Sequence, residues 1–388
     1  MAPLIDNNVP SFPSTVAGTN FRFSAASKIG INGFGRIGRN VLRASLLRSD
    51  VDVVAINHTC ATAKDLIHLI RFDSTLGSMH PGIRIVIENE HLITVGGKHI
   101  RLISERDPKN IDWHSLGIDY VVESTGKFTK RSAALEHVTL GRARRVIISA
   151  PNSDSSAYVF GVNSDKYFPD EDNNVISCAS CTTNCVTPVL KVLNDNFGVE
   201  QGLLTTVHAS TQSQNVLDGY NKKNPRLGRT VFDNIIPTTT GAAKAIATVL
   251  PELQGRITGV SIRVPTPSVS MIDLTVDTTK PTSLKEILDA FQLASKTYLA
   301  GVLSVCEEEL FSSDFKGNPS SAVVDAAACI ELNSQFFKMI AWYDNEWGYS
   351  NRLLDLAVLL NKGAREYLQY DHCQDVIYYS RKAELLMV

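Results

Sequence analysis

The chain has 388 residues, 44% of them hydrophobic and 20% charged, a composition that supports a sizeable core and excludes a largely disordered or fibrous protein. Lys and Arg total 38 against 40 for Asp and Glu, and a net charge of −2 leaves no electrostatic footprint for nucleic acid or a membrane surface. No apolar stretch reaches the roughly 18 residues of a transmembrane helix.

Residues 1–27 carry neither the basic start and apolar run of a secretory signal nor the Arg richness of a transit peptide, and read as a flexible tail. Ordered structure is expected from "KIGING", Lys28 to Gly33, an extended run broken by glycine. A helix follows over Arg36 to Leu47, where Ile37, Val41 and Ala44 recur at helical spacing. "VDVVAIN", Val51 to Asn57, is a nearly continuous apolar strand of the kind buried in a parallel sheet, and it completes a βαβ unit. "IDYVVESTG" and "RRVIISAP" read as two further strands of that sheet, ending in the small and hydroxyl residues found where open α/β sheets bind ligands.

After Pro151 the texture changes to longer β-rich runs such as "GLLTTVHAST" and "FFKMIAWYDNEW", which imply a second, α+β domain. Val186, Val189, Leu190 and Leu193 mark a helix beginning near Thr182, and a final helix is expected over Ser350 to Leu360. The division is therefore a tail 1–27, an NAD(P)-binding Rossmann-type α/β domain 28–180 completed by a C-terminal helix 345–362, an α+β catalytic domain 181–344, and an extension 363–388. Seven cysteines at irregular spacing suit a reducing compartment, with the cytoplasm as the default.

Gly33-Phe34-Gly35-Arg36-Ile37-Gly38 is a G-x-G-x-x-G opening a helix directly after a strand. A tight turn and an approaching pyrophosphate leave no room for Cβ atoms there, and a helix N-terminus presents free N–H groups to an anion. The acidic residue that usually follows about 20 positions later, on the adenosine ribose, is here His58. An imidazole does not repel a 2′-phosphate as a carboxylate does, so both NAD and NADP stay open; a solvent-facing loop histidine is the plainer alternative.

In "ASCTTNCVTP", Cys181 has three readings. Cys178, Cys181 and Cys185 lack a fourth ligand at ordinary zinc spacing, so no metal is expected. A buried structural thiol is the ordinary alternative. The predicted helix start favours a reactive thiol, since the helix dipole stabilises a thiolate, and His208 in "TTVHAST" is its natural base.

These residues carry a resemblance. "INGFGRIGR", "SERDP", "VVESTGKFT", "IISAP", "ASCTTNC", "TTVHA", "IIPTTTGAAKA", "RVPTPSVS" and "WYDNEWGYSNR" occur in the order, and at close to the spacing, of phosphorylating glyceraldehyde-3-phosphate dehydrogenase, over about Lys28 to Leu360. The resemblance implies that Cys181 attacks the aldehyde of glyceraldehyde 3-phosphate, with His208 activating the thiol, and that inorganic phosphate cleaves the resulting thioester, a reaction of the glycolytic type. It also implies that Ser180, Thr182, Thr211, Thr240, Gly241 and Arg263 hold the two phosphate groups. Arg36 and Ile37 would meet the pyrophosphate, Arg106 and Ser149 would lie along the cofactor, and Asn345 would hold the nicotinamide amide. A homotetramer is implied as well.

Several positions depart from the family pattern: His58 for aspartate, Tyr220 for proline, Cys178 for asparagine, and Ser210 and Gln212 after the histidine. Neutral drift in a packing shell is one account of the last three. A pocket reshaped to exclude a thiol-reactive substrate mimic, as in a resistant second copy, is the other. An erythrose-4-phosphate-type dehydrogenase and a catalytically silent binding paralogue are the rival functions; retention of Cys181, His208 and the phosphate donors argues against silence.

Overall fold

The computed structural model describes residues 26–362, apart from 60, 61, 171 and 223. Nearly all of the expected tail and the whole extension 363–388 lie outside the described residues.

The first half follows the alternation of apolar runs and amphipathic segments: β1 (Ser27–Asn32), α1 (Arg36–Ser45), β2 (Val51–Asn57), α2 (Ala63–Arg71), β3 (Ile85–Asn89), β4 (Leu92–Val95), β5 (Lys98–Ile103), β6 (Tyr120–Glu123), α3 (Arg131–Ala134), α4 (Glu136–Thr139), β7 (Arg145–Ile148), β8 (Ser156–Ala157) and β9 (Val175–Ser177). These strands form one sheet in the order β3-β4-β5-β2-β1-β6-β7-β9-β8. From β5 to β8 every neighbouring pair is parallel, while β3 and β4 add an antiparallel edge. The chain leaves β1 for β2 on one side and later returns to β6 on the other, so β1 marks the point where the strand order reverses. Ligands of such sheets bind beyond the carboxyl end of that strand, where the G-x-G-x-x-G turn lies.

The second half runs α5 (Cys181–Phe197), β10 (Val199–His208), β11 (Ile236–Thr239), α6 (Ala242–Val249), β12 (Ile257–Arg263), β13 (Ser270–Thr278), α7 (Leu284–Lys296), β14 (Leu303–Cys306), β15 (Ala322–Asp325), β16 (Ile330–Asn333), β17 (Phe336–Tyr343) and α8 (Trp347–Lys362). Its mixed sheet has the order β11-β12-β10-β13-β17-β15-β14, with β16 paired to β17. In β13 buried and half-buried residues alternate along the strand, the period of a sheet covered on one face. The helix α5 packs on that covered face.

The final helix α8 turns back to pack along α1 and against β1 and β2. Its Leu353, Leu354, Leu356 and Leu360 are buried, each contributing about 1.5–3 kcal/mol relative to exposure. Asp355 of α8 accepts from Arg48 at 2.5 Å and from Arg352 at 2.7 Å, so a largely buried charge cluster anchors the helix.

Candidate active site

Cys181, the expected nucleophile, sits where β9 turns into α5. Ala179 is forced to φ 55°, and its neighbours hold it there: its N–H donates to Ser177 Oγ at 2.9 Å and its carbonyl accepts from Tyr349 Oη at 3.0 Å. Ser180 then caps α5, its Oγ accepting from the Thr183 N–H at 3.0 Å. Cys181 is therefore the first residue of the helix, at the positive end of its dipole.

His208, its expected base, arrives from the other sheet. β10 and β12 are parallel neighbours, and their register places His208 and Arg263 side by side at the strand ends. The Cys181 Sγ lies 3.5 Å from His208 Nε2. His208 Nδ1 lies 2.7 Å from the Ala209 carbonyl, and the tautomer that donates to that carbonyl presents Nε2 as the acceptor for the thiol proton. The Arg263 guanidinium lies against the same ring edge and also donates to the Ala209 carbonyl at 3.2 Å.

Burial pushes the Cys181 thiol up, while the positive charge of Arg263 and the backbone N–H groups at the helix start pull it back. Burial first, and Arg263 second, bring His208 down to about 3 against the opposing pull of the Ala209 carbonyl. Both shifts favour the uncharged forms, a thiol beside a neutral imidazole.

Behind the pair, Tyr343 Oη is shared by Thr182 Oγ1 at 2.9 Å and Thr206 Oγ1 at 2.8 Å, which ties the helix of Cys181 to the strand of His208. Val269, a β-branched residue at φ 67°, adopts a strained backbone that sets up Ser270. Ser270 Oγ accepts from the Ala209 N–H at 3.0 Å and donates to Asn345 Oδ1 at 3.1 Å.

Direct contacts thus join Cys181, His208 and Arg263, with Ser180 and Thr182 flanking the thiol. The remaining expected anion donors stand on separate loops. Thr211 Oγ1 donates to Gln214 Oε1 at 3.1 Å, and Thr240 Oγ1 accepts from the Ala242 N–H at 3.1 Å. Gly241 caps α6 with open space where a Cβ would stand.

The turn after β1 fits a dinucleotide. A Cβ on Gly33 would lie 2.6 Å from the Thr125 nitrogen, and one on Gly38 would lie 2.3 Å from the Gly33 carbonyl oxygen. Gly35 faces open space at the start of α1, and no side chain caps that helix. A bare helix N-terminus with a cleared approach is the cradle a pyrophosphate requires. Ile37 is half-buried, Arg106 is exposed, and Ser149 is fixed at the end of β7 by its N–H and Oγ, which donate to the Glu123 carbonyl at 3.0 and 2.9 Å. His58 directly follows β2, its N–H donating to the Ile103 carbonyl at 2.9 Å, and burial followed by the charge of Arg39 lowers its pKa.

Residues 27–131 match the family model described as the NAD binding domain of glyceraldehyde 3-phosphate dehydrogenase, and residues 180–345 match that of its C-terminal domain. Glyceraldehyde-3-phosphate dehydrogenase 1 of a Nostoc species is 51% identical over 335 residues, 86% of this chain and 96% of the relative. The chain belongs to the glyceraldehyde-3-phosphate dehydrogenase family. The cytosolic enzyme of Chlamydomonas reinhardtii is 49% identical over 88% of this chain and 98% of its own length, and glyceraldehyde-3-phosphate dehydrogenase 1 of Schizosaccharomyces pombe is 48% identical over 86% and 97%.

Within this family framework the departures fall in different surroundings. Cys178 is buried in the core and burial pushes its thiol up to about 12, so it is inert packing. The Ser210 N–H and Oγ both donate to the Thr266 carbonyl at 2.9 Å, while Gln212 and Tyr220 are exposed, Tyr220 by 90%. Sequence reasoning missed a buried polar chain beneath the dinucleotide turn. Trp113 Nε1 donates to His137 Nδ1 at 2.9 Å, so His137 Nε2–H points to Glu123 Oε2 at 3.2 Å. Asn32 donates to the same oxygen at 2.5 Å, and Asn57 donates to Asn32 Oδ1 at 2.7 Å and accepts from the Glu105 N–H at 2.8 Å. This chain runs from β6 to the loop that carries Arg106. Tyr343 and Glu346 were missed too, although Asp344 three residues before a helix is a readable cap: it accepts from the Glu346 and Trp347 N–H groups at 3.0 and 2.9 Å.

Proposed function

We propose that the chain catalyses the phosphorylating oxidation of glyceraldehyde 3-phosphate to 1,3-bisphosphoglycerate. The observation that carries this is a helix-N-terminal thiol 3.5 Å from a buried imidazole, beside a guanidinium, in a chain of this family. Cys181 Sγ attacks the aldehyde carbon as His208 Nε2 takes the thiol proton and passes it to the carbonyl oxygen, giving a thiohemiacetal and a neutral imidazole. A nicotinamide supplies the hydride acceptor when bound, and Asn345 beside Ser270 is the residue that would hold its amide. The imidazole accepts the hydroxyl proton as the carbonyl of the thioester forms. Inorganic phosphate then adds to the acyl carbon, and the acyl phosphate leaves as the Cys181 thiolate is released and reprotonated. Arg263, Ser180, Thr182, Thr211, Thr240 and Gly241 supply the donors for the two phosphate groups.

NAD is the cofactor of the family domain, and His58 extends the choice to NADP, because the nearby Arg39 adds a positive charge where a carboxylate would repel a 2′-phosphate. Steady-state kinetics with each cofactor, with and without phosphate and with erythrose 4-phosphate as competitor, test the whole reading. Turnover without phosphate dependence, or a faster reaction with the tetrose, would overturn the substrate assignment. Rejection of NADP by more than about a thousandfold, roughly 4 kcal/mol, would sink the role of His58.

The assembly is a homotetramer in the cytoplasm. Leu217 and Tyr220 are 78% and 90% exposed on the loop before β11, and Leu203, Val260 and Leu332 stand exposed on the second sheet. Such exposed apolar surface suits contact with further copies of the chain. Sedimentation at micromolar concentration checks this: a monomer would refute it. No helix among the described residues is long and apolar enough to cross a membrane.

A further inference from the structure

Arg36 is the first residue of α1, and its guanidinium is already engaged. Its Nε donates to Glu346 Oε1 at 2.6 Å, and its Nη2 donates to Thr75 Oγ1 at 2.7 Å and to the Pro267 carbonyl at 3.3 Å. These partners lie on three different parts of the molecule: the loop after α2, the loop between β12 and β13, and the junction of β17 and α8. Arg36 therefore bridges the dinucleotide half to the catalytic half. Its carboxylate partner follows Asn345 directly in the chain.

We propose that Glu346 is a positioning residue for the dinucleotide site: it holds Arg36 in this bridge, and a pyrophosphate at the N-terminus of α1 competes for the same guanidinium. Cofactor binding and release of the bridge are then one equilibrium. The inference rests on the reading that Arg36 meets the pyrophosphate.

The surroundings of Glu346 give the competition a chemical consequence. On its own segment stands Asp344, fixed by three N–H donors, those of Glu346, Trp347 and Gly317. From the loop after α2 stands Asp73, fixed by the Thr75 and Leu76 N–H groups at 2.8 and 3.0 Å and paired with Arg39 at 3.5 Å. Arg36 on α1 is the facing cation, and the β12–β13 loop offers only a carbonyl. Glu346 is buried, and burial pushes its carboxyl up to about 7, with Arg36 pulling down and Asp344 and Asp73 adding to the rise. When Arg36 turns to the pyrophosphate, the carboxyl keeps both acidic neighbours and loses its cation. It then takes a proton from solvent.

The sign follows. A group whose pKa rises on binding favours the complex at lower pH, so the Kd for NAD should increase about tenfold from about pH 6 to about pH 8. Calorimetry of NAD binding to the full chain, in buffers of different ionisation enthalpy, should show uptake on the order of half a proton at about pH 7. Glu346→Gln should abolish the uptake, flatten the pH dependence and bring the Kd at about pH 8 down toward the acidic wild-type value. Glu346→Asp, which restores a charge, should restore uptake. If Arg36→Gln weakens NAD binding while Glu346→Gln leaves proton uptake and pH dependence as in wild type, the bridge carries no coupling and the proposal fails. If Arg36→Gln leaves NAD affinity unchanged, the assignment of Arg36 to the pyrophosphate fails instead.

Discussion

His208 is held neutral far below neutral pH, and this has a measurable cost in acid. Its pKa is about 3 in the folded chain against 6.5 unperturbed, and the residue is 4% exposed. At roughly 1.4 kcal/mol per pH unit the difference amounts to about 5 kcal/mol. The folded value is depressed, so this stability is present above the unfolded pKa of about 6.5 and is lost as pH falls toward about 3, where only the unfolded chain takes the proton. His208→Asn removes the titration. Urea unfolding midpoints from about pH 7 to about pH 4 should therefore fall by less in the variant, the gap at about pH 4 approaching about 3 kcal/mol. Direct observation of the imidazole by NMR supplies the second measurement, and Arg263→Gln should raise its pKa while leaving it below 6.5, since burial is the larger cause. Equal acid losses in wild type and variant, or an imidazole titrating near 6.5 in the wild type, would mean that burial does not hold His208 neutral.

Other substitutions test the site and its supports. Cys181→Ser should abolish oxidation with NAD binding intact, because a serine hydroxyl is not ionised at neutral pH; turnover within about tenfold of wild type would remove the nucleophile assignment. Gly38→Ala places a Cβ 2.3 Å from the Gly33 carbonyl oxygen, so NAD affinity measured by fluorescence titration should drop by more than about tenfold. Asp355→Asn leaves Arg48 and Arg352 without their shared carboxylate, and urea unfolding should show a loss of about 3–5 kcal/mol, the usual effect of breaking a buried ion pair.

What could be read from the sequence was local. The β1-turn-α1 unit is written in consecutive residues, because the glycine spacing and the periodicity of Ile37, Val41 and Ala44 act within a few turns of chain. The start of α5 was legible to one residue for the same reason: the periodicity points near Thr182, and the helix begins at Cys181 because Ser180 caps it. The periodicity likewise puts the last helix at Ser350, yet it starts at Trp347, since the Asp344 cap lies outside the apolar pattern. Contacts set by strand order were not legible. His208 and Arg263 meet through a parallel pairing whose connection carries another strand and helix, and no spacing rule encodes it. The Arg36–Glu346 bridge joins opposite ends of the chain. Family resemblance named the roles of several of these residues without saying which of them touch.

The return of α8 onto α1 has a consequence for how the polypeptide is made. The apolar surface of α1 and β1 that α8 covers is synthesised early, and its cover emerges only after the whole catalytic half has been translated. At ordinary elongation rates that delay is on the order of tens of seconds. Throughout it the nascent chain offers an unsealed hydrophobic stripe and an Arg48 still lacking its Asp355 partner. A ribosome stalled before Trp347 thus displays a client surface for chaperones, and the final turns of the helix act as the clasp that withdraws it.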